Sequence, residues 1–376
     1  MPLLLFFLII AVAIGLEKIS LRDELRHISY DCKPEQVYVE PDQTFTVASC
    51  VTNRRRLPVV FLRLEELFPD AVAIDGDGLN YRLNSGFLRL FSTIFLMPKE
   101  ILTRSLTASL PARGRYLFRG AIIHAGDFMG LEEKSIPFPQ IKEMVVYPRS
   151  STSKALPQVL GSFLGEHSVR RFILEDPILT LGFRDYTGRE PQRYISWPRS
   201  LAMGKLMVKQ HDYTQDLSAA ILLNIDCGGL EFKDPLLIEE AFSLTRSVCE
   251  ILEEKKIRYS FLTNAVTVGA FGQWSRLPSG LGGRHFYAVM AGLGRATYDC
   301  VESCADLFLR AEKRRDLDQG QVYLVITPRR DPRLYPLMKR LEAISGGGAH
   351  LLTAEPGAAK PTPESGGYAR REEETA

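Results

Sequence analysis

The chain has little cysteine, no strong charge of either sign and few of the short motifs that announce an enzyme. Its six cysteines (Cys32, Cys50, Cys227, Cys249, Cys300 and Cys304) form no CxxC and no regular framework. That excludes the disulfide scaffold of a small secreted domain, and with only six scattered histidines no zinc spacing appears. Reduced thiols in a cytosolic setting are expected. The 47 basic and 45 acidic side chains leave a formal charge of +2, so any basic function must be local. No GxxxxGK[ST] phosphate loop and no GxSxG elbow is present, and Gly280 to Gly283 carries neither the lysine nor the hydroxyl residue. A nucleophile needs a base within reach. No such pairing is legible, and His211, His285 and His350 read as packing or surface residues. No catalytic residue, metal or cofactor is therefore expected.

Long apolar runs are rare too, with one exception. Leu3 to Leu16 is unbroken apolar sequence, preceded by no Lys or Arg and followed by Lys18, Arg22 and Arg26. Charge after the run argues against a secretory signal and predicts a single-pass anchor over 1–18, the rest of the chain on the cytoplasmic side.

From Ile28 to Pro148 the chain reads as β structure. Thr44 to Val51 alternates, with Phe45, Val47 and Val51 on one face, and Val59 to Leu64 resumes the pattern after an Arg54-Arg55-Arg56 turn. Arg115 to Ala125, punctuated by Gly114 and Gly120, suggests a hairpin. Several short strands over residues 27–150 predict a sandwich-like domain. From Ala219 onward strands and helices alternate, which predicts a mainly parallel sheet covered by helices over 216–354. Asp234-Pro235 marks a helix start, with Leu237, Ala241, Leu244, Val248 and Ile251 on one face. Ala296 to Arg314 is expected as a further helix with Cys300 and Cys304 on one face, Val322 to Ile326 as a strand and Leu334 to Ile344 as a last helix. The Gly292 to Gly294 stretch reads as a turn. The tail, 355–376, is polar and expected to be disordered.

The most informative stretch runs from Phe183 to Asp226. Arg184, Arg189, Arg193, Arg199, Lys205 and Lys209 are spread among Tyr186, Tyr194 and Trp197. Such interleaving suits single-stranded nucleic acid, but Asp185, Glu190 and Asp212 dilute the charge, and no nucleic-acid partner is expected. Ala219 to Ile225 is then apolar except for Asn224, the pattern of a strand buried on both faces. Asp226 falls at its carboxyl end, where open α/β sheets place their sites.

Four blocks together resemble a known family. These are Asn53 to Pro58 (NRRRLP); Arg113 to Leu131, with Val146-Tyr147-Pro148; Phe183 to Gln210; and the apolar strand ending at Asp226. In this order they resemble the "domain of unknown function 58" membrane proteins associated with MoxR-type AAA+ ATPases. The resemblance implies a membrane anchor, a β-rich region and a carboxyl-terminal domain similar to von Willebrand factor A domains. It makes Arg184, Asp185, Tyr186, Arg193, Trp197 and Lys205 the family-motif residues, on a segment (151–215) between the two domains. Metal-binding von Willebrand A domains carry Asp-x-Ser-x-Ser after the first strand and a further Asp after a later one. Here the first site reads Asp226-Cys227-Gly228-Gly229-Leu230, and the later strand ends Ile326-Thr327-Pro328-Arg329. One carboxylate holds Mg²⁺ poorly, so Asp226 and Gly228 mark a degenerate site without metal.

The sequence thus predicts a multidomain protein: an N-terminal membrane helix, a β-sandwich-like domain and a von Willebrand factor A-like α/β domain with a mainly parallel sheet. Its expected role is a membrane-anchored, non-enzymatic scaffold or adaptor that works with a MoxR-type ATPase in assembling other complexes. Arginine forks in the motif segment would pair with carboxylates, and Trp197 and Tyr194 would supply buried anchors. The alternative is a hydrolase acting on cell-envelope material with an unrecognised site near Cys227. It predicts a His, Asp or Glu clustered with Cys227 or with a serine in a pocket, and Cys227 as nucleophile with His285 as base is one such pairing.

Overall fold

The computed structural model describes residues 27–56, 58–76, 79–84, 86–126, 133–153, 156, 161, 180–188, 192, 195–211, 218–227, 233–269, 275–314, 316–317, 321–345 and 348–354. Its contacts divide the chain into two units. One takes in the residues through Arg149 together with Met290–Ala296, and the other Ser150–Val289 with Thr297–Ala358.

Among the described residues the first unit holds ten strands: β1 (Ile28–Pro34), β2 (Tyr38–Val39), β3 (Thr44–Asn53), β4 (Val59–Pro69), β5 (Ala73–Asp75), β6 (Asn80–Asn84), β7 (Phe87–Leu96), β8 (Ile101–Ser109), β9 (Gly114–Gly126) and β10 (Glu133–Val146). They form a four-stranded sheet, β1-β3-β8-β5, and a six-stranded one, β2-β10-β9-β4-β7-β6. Every pair is antiparallel except the short β2 against β10. Alternation explains the packing: β3 buries Phe45, Val47 and Val51 in one core with Leu62, Leu64, Leu90 and Ile123 of the facing sheet. Arg115 to Ala125 is one continuous strand rather than a hairpin. Gly120 marks a bulge opposite the register shift between Pro139 and Lys142. Its φ of +88° suits glycine, and a Cβ there would lie 2.2 Å from the Phe138 carbonyl oxygen.

The second unit holds β11 (Thr180–Asp185), β12 (Met207–His211), β13 (Ala219–Leu223), β14 (Tyr259–Thr263), β15 (Ala265–Thr267), β16 (Arg276–Gly280), β17 (Ala296–Cys300), β18 (Val322–Thr327) and β19 (Ala349–Thr353). Among the described residues its helices are α1 (Trp197–Met203), α2 (Pro235–Glu254), α4 (Cys304–Lys313) and α5 (Leu334–Ser345), while α3 (Gly283–Arg295) begins in this unit and from Met290 is counted with the first. Five strands make a sheet in the order β16-β14-β13-β18-β19. The apolar run at Ala219 forms its central strand, fully buried and parallel to β14 and β18 on either side. Asp234 caps α2 by accepting the Leu237 amide at 3.3 Å, and Leu237, Ala241, Leu244 and Val248 are buried. The helix expected over Ala296 to Arg314 is instead β17 followed by α4, which Ser303 caps by accepting the Asp306 amide. Cys300 and Cys304 therefore share no helical face. Gly292 to Gly294 is no turn but lies within α3.

The expected fold class needs correction. Antiparallel pairing dominates the described strands; the extended parallel ladders are in the second unit, and the first has only the two-residue β2–β10 pair. The assignment of the whole chain as membrane helix, sandwich and von Willebrand factor A-like domain does not stand. No helix among the described residues is long and apolar enough to cross a membrane, and the single-pass placement is withdrawn. The run on which the 1–18 anchor rested lies outside the described residues, as does the expected tail.

Candidate functional site

Parallel register brings the carboxyl ends of β13, β14 and β18 level, with Leu223 paired to both Thr263 and Ile326. Just beyond, the backbone leaves the ladder, and side-chain amides take over its hydrogen bonds. Asn264 Oδ1 accepts from the Ile225 amide at 2.9 Å, while its Nδ2 donates to Asn224 Oδ1 at 2.7 Å and to the Glu302 carbonyl at 3.1 Å. Asn224 Nδ2 donates to Thr327 Oγ1 at 3.1 Å, and its Oδ1 accepts from the Asp226 amide at 3.1 Å. Asn224, Asn264 and Thr327 are all buried. Such a network is neutral and satisfied, which suits it to fixing a strand crossover rather than to moving protons.

Asp226 sits just beyond the carboxyl end of β13, buried with its main chain pinned by Asn224. Around it, Arg329 pairs with Asp234 at 3.2 Å, Arg310 with Glu302 at 2.5 Å, and Arg333 with Asp331. The Arg333 hydrogen bond holds Asp331 below the usual carboxylate range. Among the described residues no three His, Cys, Asp or Glu side chains converge to hold a metal ion. Gly228, the other half of the degenerate site, lies outside the described residues.

Cys227 does not have the makings of a nucleophile. Burial pushes its thiol above the ordinary value, against a backbone hydrogen bond from Asp234, and its Sγ donates to the Ile225 carbonyl at 3.7 Å. Burial also raises Cys300 and Cys304, each to about 12, with the Asp226 charge adding to the effect. The postulated base is at the wrong end of the sheet. His285 packs edge-on against Tyr259, 4.6 Å between ring centroids, and Tyr259 pairs with Ala219 at the start of β13. Four residues of strand, about 13 Å, separate that level from Leu223. The Cys227–His285 pairing is not formed.

His285 has a consequence of its own. Burial lowers its pKa from the ordinary 6.5, against opposing pulls from a Tyr259 backbone hydrogen bond and from Glu253, the charged group nearby. Its Nε2 is buried without a hydrogen-bond partner among the described residues. The unfolded chain therefore takes up this proton first, so the contribution is complete above about pH 6.5 and is lost as pH falls through the depressed folded value. Melting temperature followed downward from pH 8 should begin to drop below about 6.5, and His285→Gln should flatten that part of the profile. Equal slopes in both proteins would count against it.

The motif segment is a compact element of another kind. β11 and β12 pair antiparallel, with Arg184 opposite Val208 and Asp185 opposite Met207. Lys205 Nζ meets Asp185 at 2.7 Å, the Tyr186 amide donates to the Leu206 carbonyl, and Arg199 lies over the Phe183 ring. Between the strands, α1 starts after Ser196 with a proline in its first turn and stops at Gly204, whose φ is 65°. Arg184, Asp185, Tyr186 and Lys205 are thus brought together, whereas Arg193 and Tyr194 lie outside the described residues. Trp197 is no buried anchor: it is 62% exposed, beside Leu201 at 84% and Met203 at 58%. On so short a helix only Ser200 is buried, its Oγ accepting the Met207 amide at 2.8 Å.

Two polar arrays in the first unit escaped sequence reading. Glu65 and Glu66 are neighbours on β4 and so point to opposite faces. Glu66 faces the core, where Tyr30 Oη donates to it at 2.9 Å and Arg104 pairs with it. Glu65 faces the other way in a row with Arg89, His124 and Ser135: Arg89 at 2.5 Å, His124 Nε2 at 3.2 Å, and Ser135 Oγ 2.7 Å from His124 Nδ1. Glu133 lies 3.2 Å from that same Nδ1, so serine and carboxylate share one ring nitrogen, as in a surface ladder. Two adjacent acids in an apolar strand were the available signal.

No family profile and no curated protein matches the chain. Among solved structures it is similar to the CARDB domain of the PF1109 protein from Pyrococcus furiosus, at 16% identity and a TM-score of 0.21, over 32% of this chain and 91% of that one. It is also similar to a cohesin module from the Clostridium perfringens family 33 glycoside hydrolase, at 12% identity and a TM-score of 0.23, over 32% of this chain and 96% of that one. A third is Spo0M, a sporulation control protein from Bacillus subtilis, at 12% identity and a TM-score of 0.18, over 43% and 58%. These are not von Willebrand factor A domains, and at such scores the likenesses support no functional argument.

Proposed function

We propose that the protein is a non-enzymatic scaffold or adaptor that docks a partner protein through the surface of β11, α1 and β12. The observation that carries this reading is the exposed pair of Trp197 and Leu201, one turn apart on the same face of α1, with Met203 also exposed and Arg184, Arg199 and Lys205 on the same β11–α1–β12 segment. Large apolar side chains grouped in water on a rigid scaffold, beside arginine, have the composition of an interface centre. The resemblance of the Phe183 to Gln210 run makes a MoxR-type AAA+ ATPase the partner to test. Geometry around Cys227 speaks against the hydrolase alternative, since the thiol is buried and its proposed base is elsewhere.

Trp197→Ala and Leu201→Ala are each expected to weaken binding of the purified ATPase by about 2 kcal/mol, roughly thirty-fold. Because both side chains already face solvent, the melting temperature should stay where it is. Titration calorimetry on the full chain checks this. Unchanged affinity in both variants, with the partner shown to bind, would remove the surface from consideration.

A further inference from the structure

We infer that β6, the last strand of the six-stranded sheet, takes an extended segment of a partner protein as an added strand, one whose acidic side chains alternate with apolar ones. β6 ends the sheet order, and among the described residues no strand pairs with its other side. All five of its residues are exposed. Directly opposite residues of an antiparallel pair share a face. Tyr81 and Leu83 lie opposite Leu90 and Leu88 of β7, which are buried in the sandwich core. The two therefore continue the core-side face, yet they remain 58% and 68% exposed. An apolar face that runs past its cover, beside an unpaired backbone edge, is the arrangement to which strands add.

Charge identifies the occupant. On the other face Arg82 lies opposite Arg89, and like charges so placed cost stability. Glu65 engages Arg89 at 2.5 Å, whereas no carboxylate among the described residues pairs with Arg82. Arg119 adds a further guanidinium, 4.5 Å over the ring of Phe87, which shares this face with Arg89 and lies opposite Asn84. Arg82, Arg89 and Arg119 thus have Glu65 as their acid, and a strand bringing carboxylates to this face relieves the excess. The same charge argues against a second copy of this chain. Antiparallel self-pairing about the middle of β6 would set Arg82 against Arg82. Because successive side chains of a strand point to opposite faces, carboxylates over Arg82 and apolar groups over Tyr81 and Leu83 require alternation. This edge belongs to the first unit and is independent of the docking surface on β11, α1 and β12, so either reading can fail alone.

The probe is a blocked, fluorescein-labelled peptide of alternating glutamate and valine, titrated into the full chain and followed by anisotropy. Saturable binding with a Kd of about 10–100 μM is expected, with slowed amide exchange in β6. Arg82→Glu should weaken it roughly ten-fold or more and should instead favour the matching peptide of lysine and valine. Leu83→Ser should weaken it too. Both side chains face solvent, so neither variant should lower the melting temperature. N-methylation throughout the peptide removes its backbone donors and should abolish binding, which separates strand addition from charge attraction alone. No saturable response up to about 1 mM would overturn the proposal. So would equal binding of the lysine peptide by the wild-type chain, or binding indifferent to N-methylation. Self-association of the chain that disappears in Leu83→Ser would assign the edge to a second copy and overturn it as well.

Discussion

Arg104→Ala is expected to destabilise the first unit by about 3–5 kcal/mol, although the arginine is itself partly exposed. The reason lies with its partner. Glu66 on β4 has a side chain with 0% exposure and faces the four-stranded sheet, from which Tyr30 on β1 and Arg104 on β8 reach it. Burial pushes the Tyr30 phenol up, so it stays a protonated donor to Glu66. Without the guanidinium the carboxylate would keep one hydrogen bond and no counter-charge in the middle of an apolar core. Urea denaturation, with hydrogen exchange in β3, β4 and β8 to isolate this unit, measures the loss. Replacing both partners, Glu66→Leu with Arg104→Leu, should recover much of it, because a buried ion pair exchanged for apolar side chains is often neutral. A loss below about 1 kcal/mol, typical of surface pairs, would show that solvent reaches Glu66.

Asn264→Ala should cost the second unit about 3 kcal/mol, more than an alanine substitution removes from most polar positions. Three hydrogen bonds go at once: those of the Ile225 amide and the Glu302 carbonyl, and one of the two that Asn224 Oδ1 accepts, which keeps the Asp226 amide. With Asn264 1% exposed, water does not readily replace it. Amide exchange at Ile225 and at Val301, whose N–H donates to the Asn264 carbonyl, should accelerate before global unfolding. Asn264→Asp should be worse, since it turns the Nδ2 donor into an acceptor facing two oxygens. If both variants keep wild-type protection at Ile225, the network does not hold the end of β13.

Local pattern alone determined a good deal here. The alternation of Thr44 to Val51, the buried run at Ala219 to Ile225 and the Asp234-Pro235 start of α2 are each legible because side-chain period and cap chemistry act within a few residues. Asp226 comes three residues after the last residue of β13. The rest depended on what meets across the fold. Gly120 reads as a turn until Phe138 is seen beside it; Ala296 to Cys300 reads as helix until it joins a strand. Trp197 looked like an anchor because tryptophan usually buries, yet its seven-residue helix has only Ser200 turned inward. The Glu66 ion pair joins residues 38 positions apart, the Asn224–Thr327 bond spans 103, and the Asp316–Arg276 pair closes over 40. No periodicity encodes which buried polar groups meet at those separations. Only packing decides it, because an interior carboxylate or amide is tolerated where the folded chain supplies its partner.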